Sequence, residues 1–272
     1  MSTLFAIKRA IKYCMIEPHT LDPLIKNIIN ITMIPPQTLS PLSEDQRLAL
    51  IDCFINNTML KESPSSAPTA SSSQRKWQRF GLDIVPALEI VTPIINNVLG
   101  VDTWECTGSH WRARGNFFLA SSGFRVHADT GNDGPDKVLQ TFVFPLEMTF
   151  KEGETPRLDQ NKFIVLNQTW AGDAAFFLRG DSDERKPNEY SIVVKDYSTI
   201  GNLEEGTMDG RLLDNCPHLN PSNFYGLTID KMFQWTPGVP MTFPRNRLHL
   251  NTPFTRHGIA TKLGLSIFTS RK

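Results

Sequence analysis

Two histidines and an aspartate carry the residue types that metal chemistry needs. His127 and Asp129 lie in Gly123-Phe124-Arg125-Val126-His127-Ala128-Asp129, and His249 closes Arg247-Leu248-His249. Along a strand, residues i and i+2 project to one face, so His127 and Asp129 can aim an imidazole and a carboxylate at one point. A histidine from a neighbouring strand completes a facial triad, which leaves three positions of an octahedral ion open and suits ferrous iron that binds a cosubstrate and dioxygen. His257 competes for the third position, but it follows Thr252-Pro253-Phe254-Thr255-Arg256 and precedes Gly258 in a loop context. His249 ends a strand and is the expected ligand. A His-x-Asp alone is common by chance, and its plain reading is a histidine bonding a backbone carbonyl.

Other chemistries fit less well. Asp129-Thr130-Gly131 spells the aspartic protease signature, yet there is no second copy to share the proton. A calcium loop starting at Asp129 fails at its third and twelfth positions, Gly131 and Gln140. The sequence has no GxSxG elbow, P-loop or dinucleotide fingerprint. Cys106 lies near His110, but nothing marks it as an activated thiolate, so a buried structural role is expected.

The elements that must position the triad are β-rich. After about residue 100, short runs recur at 116–119, 138–148, 163–166, 174–178, 190–194, Met241 to Leu248, and 263–269, parted by Gly, Pro, Asn and Asp clusters. This texture predicts an antiparallel sandwich or jelly roll. The N-terminal third predicts helices at Leu21 to Ile31 and Leu48 to Leu60, the second capped within Ser40 to Gln46. A Ser, Pro and Ala tract at 62–76 is too small and polar to bury anything. The expected organisation is an N-terminal helical region, 1–100, packed on a β core, 101–272.

Composition narrows the partners. The 272 residues hold 28 Lys plus Arg against 28 Asp plus Glu, which supplies no clustered positive charge for nucleic acid or an anionic membrane. Four cysteines at 14, 53, 106 and 216 form no CxxC pair, and a cytoplasmic setting is expected. No apolar run reaches the roughly 18 residues of a membrane span. Residues 1–16 carry Lys8, Arg9 and Lys12 with no acid, a faint presequence pattern that reads more simply as an amphipathic helix ending before Pro18.

The ordered motifs resemble those of the Fe(II)/2-oxoglutarate-dependent oxygenases over roughly residues 110–270. Phe124 to Gly131 is similar to that family's HxD at a strand end, Trp235 to His249 to its turn, strand and distal histidine, and Ala260 to Thr269 to its closing strand. The resemblance implies a double-stranded β-helix of the jelly-roll, cupin-like type, mainly β with N-terminal helices. It implies iron held by His127, Asp129 and His249, with 2-oxoglutarate and O2 on the open positions. Lys262 would pair with the far carboxylate of 2-oxoglutarate, with help from Ser266 on the same strand face. The family often has Arg here with Ser or Thr two residues on, where this chain has Lys262 and then Gly264.

The activity so implied is hydroxylation of an unactivated C–H bond with release of succinate and CO2. Asp129 speaks against halogenation, whereas desaturation and ring formation stay open. A small molecule, such as an amino acid or natural-product intermediate, is the expected substrate. A protein or peptide hydroxylase of the same fold is the alternative enzyme, and a non-catalytic cupin-like binding protein the alternative from another class. Arg125, two residues before His127, is a candidate to hold an anionic substrate group, as are Arg112 and Arg114 upstream; a solvent-facing or ion-paired arginine is the plainer reading. Trp111, Phe117, Phe124 and Trp235 read as core. The long stretch from Asp196 to Asn223 reads as a lid, a binding loop or an ordinary insertion.

Overall fold

A computed structural model describes residues 33–64, 77–106, 114–121, 123, 126–130, 137–170, 200–201, 203, 206–217 and 221–272. The chain divides into two compact units, Met1–Met33 and Ile34–Lys272, and the description concerns the second. The helix expected at Leu21 to Ile31 and the strands expected at 174–178 and 190–194 lie outside the described residues, as do residues 65–76 of the tract expected at 62–76, whose first three residues end a strand.

The unit is mainly β, with two antiparallel sheets. Strands β1 (Gln37–Thr38), β2 (Leu60–Pro64), β3 (Trp77–Gly81), β4 (Trp104–Glu105), β5 (Gly115–Ala120), β6 (Val138–Phe150), β10 (Met241–Pro244) and β12 (Ile259–Arg271) form the larger sheet. Its order is β1-β10-β6-β12-β5-β3-β2, with β4 added on β12. The smaller sheet holds β7 (Lys162–Trp170), β8 (Ile200–Gly201), β9 (Ile229–Gln234) and β11 (Arg247–Asn251), with β7 pairing all the others.

Alternation along the strands builds three apolar layers. Between the sheets, Phe118, Ala120 and Val143 from the larger meet Phe163, Val165 and Phe233 from the smaller, joined by Trp235 and Phe243. On the outer face of the larger sheet, Phe117, Phe142, Phe144 and Leu265 pack on Leu50, Phe54, Val91 and Ile95 of two helices. Ile164, Leu166, Leu248 and Leu250 cover the far side of the smaller sheet. Each such side chain contributes roughly 1.5 to 3 kcal/mol by leaving water.

Helix α1 (Glu44–Ile55) starts four residues before the expected Leu48, because Ser43 and Gln46 close a capping box at 3.1 and 2.9 Å. It stops at Asn56, and Leu60 already belongs to β2. Helix α2 (Val85–Leu99) was not legible from punctuation: Pro86 sits in its first turn and Pro93 inside it, while Ala87, Val91 and Ile95 at four-residue spacing turn a buried face to the sheet. A short α3 (Gly210–Asn215) lies within the stretch expected as a lid, binding loop or insertion.

The expected strand from Met241 to Leu248 is two strands in different sheets, parted by a turn at Arg245 and Asn246. β10 pairs with β6 in the larger sheet, β11 with β7 in the smaller. His249 therefore belongs to the smaller sheet and Lys262 to the larger, and both project between the two.

Candidate metal centre

The segment at 126–130 runs beside β11 without joining either sheet. His127 and His249 form an isolated antiparallel bridge. Val126 and Ala128 turn into the apolar layer that holds Leu248 and Leu250. By alternation His127 and Asp129 face the other way, where His249 also points.

The ligand atoms of His127, Asp129 and His249 all lie within 4.8 Å of one another. His127 Nε2 is 3.6 Å from Asp129 Oδ1, and His249 Nε2 is 3.4 Å from Asp129 Oδ2. Bonds of 2.0 to 2.2 Å at right angles put neighbouring ligand atoms about 3 Å apart, so the two imidazole–carboxylate separations would close by roughly half an ångström around an ion. The side chains are 15%, 11% and 3% exposed in the order His127, Asp129, His249, so His249 lies deepest.

The surroundings set each ligand's state. The Nδ1 of His249 lies 3.0 Å from the Arg247 carbonyl oxygen, a contact that places the ring proton on Nδ1 and leaves the Nε2 lone pair toward Asp129. Its ring packs among Phe163 (5.4 Å between centroids) and Phe243 (4.7 Å). Burial, with His127 close by, pushes its pKa down to about 4, so it is neutral at physiological pH as a ligand must be. Thr141 Oγ1 on β6 donates to Asp129 Oδ2 at 3.0 Å and orients the carboxylate. The donor set fits a ferrous ion with open positions.

The remaining expected residues fall in different places. His257 ends a 3-10 turn at Phe254–His257, and its Nδ1 lies 3.0 Å from Arg157 Nη2. Lys262 on β12 is 2% exposed, and its Nζ has no hydrogen-bond partner among the described residues. It lies 4.4 Å from the centroid of Phe254 and 4.9 Å from that of Trp235. Burial holds its pKa well below the ordinary lysine value. Ser266 shares its strand face, but Phe118 closes over the intervening Gly264, where an added Cβ would stand 2.5 Å from the ring. Trp235 is 1% exposed in the inter-sheet layer, in the core as expected, and its Nε1 has no hydrogen-bond partner among the described residues. Cys106 donates to the Arg114 carbonyl oxygen at 2.8 Å, and burial pushes its thiol up to about 12, which keeps it protonated. Arg125, Arg112, Trp111 and Phe124 lie outside the described residues.

Sequence reasoning missed Thr141 and Arg245. Nothing in the pattern of β6 marks Thr141, because its contact with Asp129 joins distant segments. Arg245 lay inside an expected strand, although a fully buried arginine so near a ligand is a signal once the turn is known.

No protein-family model matches the chain, and neither does any curated protein sequence. Among solved structures it is similar to a prolyl-4-hydroxylase from Pseudomonas putida at 11% identity and a TM-score of 0.38, covering 92% of this chain and 99% of that one. It is also similar to E. coli ycfD at 10% identity and a TM-score of 0.32, covering 93% of this chain and 54% of that one. Likenesses of this degree say nothing of what the chain acts on. No helix among the described residues is long and apolar enough to cross a membrane.

Proposed function

We propose that the chain is a non-haem iron oxygenase of the Fe(II)/2-oxoglutarate-dependent type, with its sheets arranged as a jelly roll, that hydroxylates an unactivated C–H bond of a small molecule. The observation that carries this reading is the convergence of two imidazoles and one carboxylate in a largely buried cluster. His249 offers a neutral nitrogen with its tautomer fixed, and Asp129 an oriented anion. Iron, when bound, would couple the oxidation of 2-oxoglutarate by O2 to that of substrate, one oxygen atom going to the C–H carbon and the other to succinate, with CO2 released. Lys262 supports the cosubstrate: a buried amine with no hydrogen-bond partner among the described residues costs roughly 1 to 3 kcal/mol, and a carboxylate seated against it would offset that. The balance of 28 basic against 28 acidic residues favours a small molecule over a polyanion.

Anaerobic addition of ferrous iron and 2-oxoglutarate should produce the weak visible charge-transfer band of the chelated cosubstrate, and Asp129→Ala should abolish it. No band in the wild-type protein sinks the reading and leaves a cupin-like binding protein. Succinate release with a metabolite library, set against a peptide library, separates a small-molecule enzyme from a protein hydroxylase.

A further inference from the structure

We propose that Arg245 is a positioning residue for the metal centre, holding the main chain of Asp129 where its carboxylate meets His249, and that it thereby sets metal affinity. The proposal rests on the metal reading of the triad. Arg245 stands at the turn where the chain leaves the larger sheet for the smaller, and it is 0% exposed. Its own backbone N–H donates to the Leu139 carbonyl at 3.0 Å, fixing the turn to the start of β6.

Around Asp129, Arg245 acts from both sides. The Asp129 N–H donates to the Arg245 carbonyl at 3.1 Å, and Arg245 Nε donates back to the Asp129 carbonyl at 2.6 Å. Nη2 reaches the Thr130 carbonyl at 3.3 Å, and Nη1 donates to Ser270 Oγ on β12 at 2.9 Å, with the guanidinium 5.4 Å from the Phe268 centroid. Among the described residues, Val126 to Thr130 form no strand of either sheet and meet β11 at the His127–His249 bridge. Their anchors to the rest of the fold include the bridge to His249, the Thr141 hydroxyl and Arg245.

An aspartate has a short side chain, so its carboxylate goes where its backbone goes. The turn that grips Asp129 leads within two residues to Arg247, whose carbonyl orients His249, so one turn sets two ligands relative to each other. Lysine cannot substitute for this grip, because its single ammonium cannot span the Asp129 and Thr130 carbonyls and the Ser270 hydroxyl in one plane.

Co(II) is the probe, since its visible absorption reports ligand geometry without turnover. Arg245→Lys is compared with wild type for Co(II) affinity, absorption spectrum and the metal-free melting midpoint. The expected result is affinity lowered about 10- to 100-fold with an altered spectrum, the range met when a group supporting a ligand is removed. A folded Arg245→Lys with wild-type affinity and spectrum overturns the proposal, as does a lowered midpoint with both unchanged. Should that variant not fold, Ser270→Ala, which removes one anchor of the guanidinium, decides: a loss of a few-fold supports the proposal and unchanged affinity overturns it. A wild-type protein that binds no Co(II) overturns the metal reading itself and this proposal with it, whereas binding that ignores Arg245 overturns this proposal alone.

Discussion

His127 and His249 exchange both of their main-chain hydrogen bonds, at 3.0 and 2.8 Å, and their rings lie 4.1 Å apart between centroids. Two residues separated by more than a hundred positions are thus a directly opposed pair. The consequence is a preformed site, in which metal binding orders little backbone. Thr141 then tunes the third ligand. Thr141→Val keeps the shape and removes the donor to Asp129 Oδ2, and should weaken Co(II) or Fe(II) binding about 10-fold or more. Titration calorimetry checks this, and an unchanged constant would show that the carboxylate is oriented without Thr141.

Lys262→Met should separate stability from cosubstrate binding. The thioether fills the space beside Trp235 and Phe254 without leaving a buried amine unpartnered, so the melting temperature should rise, by the equivalent of roughly 1 to 3 kcal/mol. Binding of 2-oxoglutarate should be lost while metal affinity holds. A variant that binds 2-oxoglutarate as tightly as wild type removes Lys262 from that role.

Acid should weaken the metal-free fold through His249. Its folded pKa of about 4 lies below the ordinary 6.5, so below pH 6.5 the unfolded chain takes up a proton that the native state refuses until near pH 4. The stability is complete above about pH 6.5, falls across that window, and the loss is finished below about pH 4, amounting to a few kcal/mol at most. Urea denaturation at stepped pH, wild type against His249→Gln, measures it. Equal slopes in the two proteins would exclude His249 as the source.

Gly115→Ala should be among the costly single-methyl changes. Gly115 opens β5 at φ +127°, and an added Cβ would run into the Ser266 carbonyl oxygen of the paired β12. The backbone conformation alone costs roughly 1 to 3 kcal/mol for an L side chain, with the collision added. Thermal unfolding tests this; a midpoint within a degree of wild type would mean that the two strands can slide apart.

Residue type and local spacing made His127, Asp129 and His249 candidates, and the ordered motifs around them singled them out, because all of these are properties read along the chain. The strands at β5, β6, β7 and β12 were legible for the same reason, since runs of β-forming residues bounded by turn clusters are local. The break at Arg245 was not. From Met241 to Leu248 the residue types suit one strand, and only the packing of two sheets requires a corner there. Thr141 over Asp129, the aromatic walls around Lys262, and Phe118 lying over Gly264 between Lys262 and Ser266 are likewise contacts between distant segments. The sequence determined which side chains could hold a metal. Tertiary structure alone decided that they meet, which groups hold them there, and that the lysine sits against two rings without a hydrogen-bond partner among the described residues, because those depend on distances across sheets that no local pattern encodes.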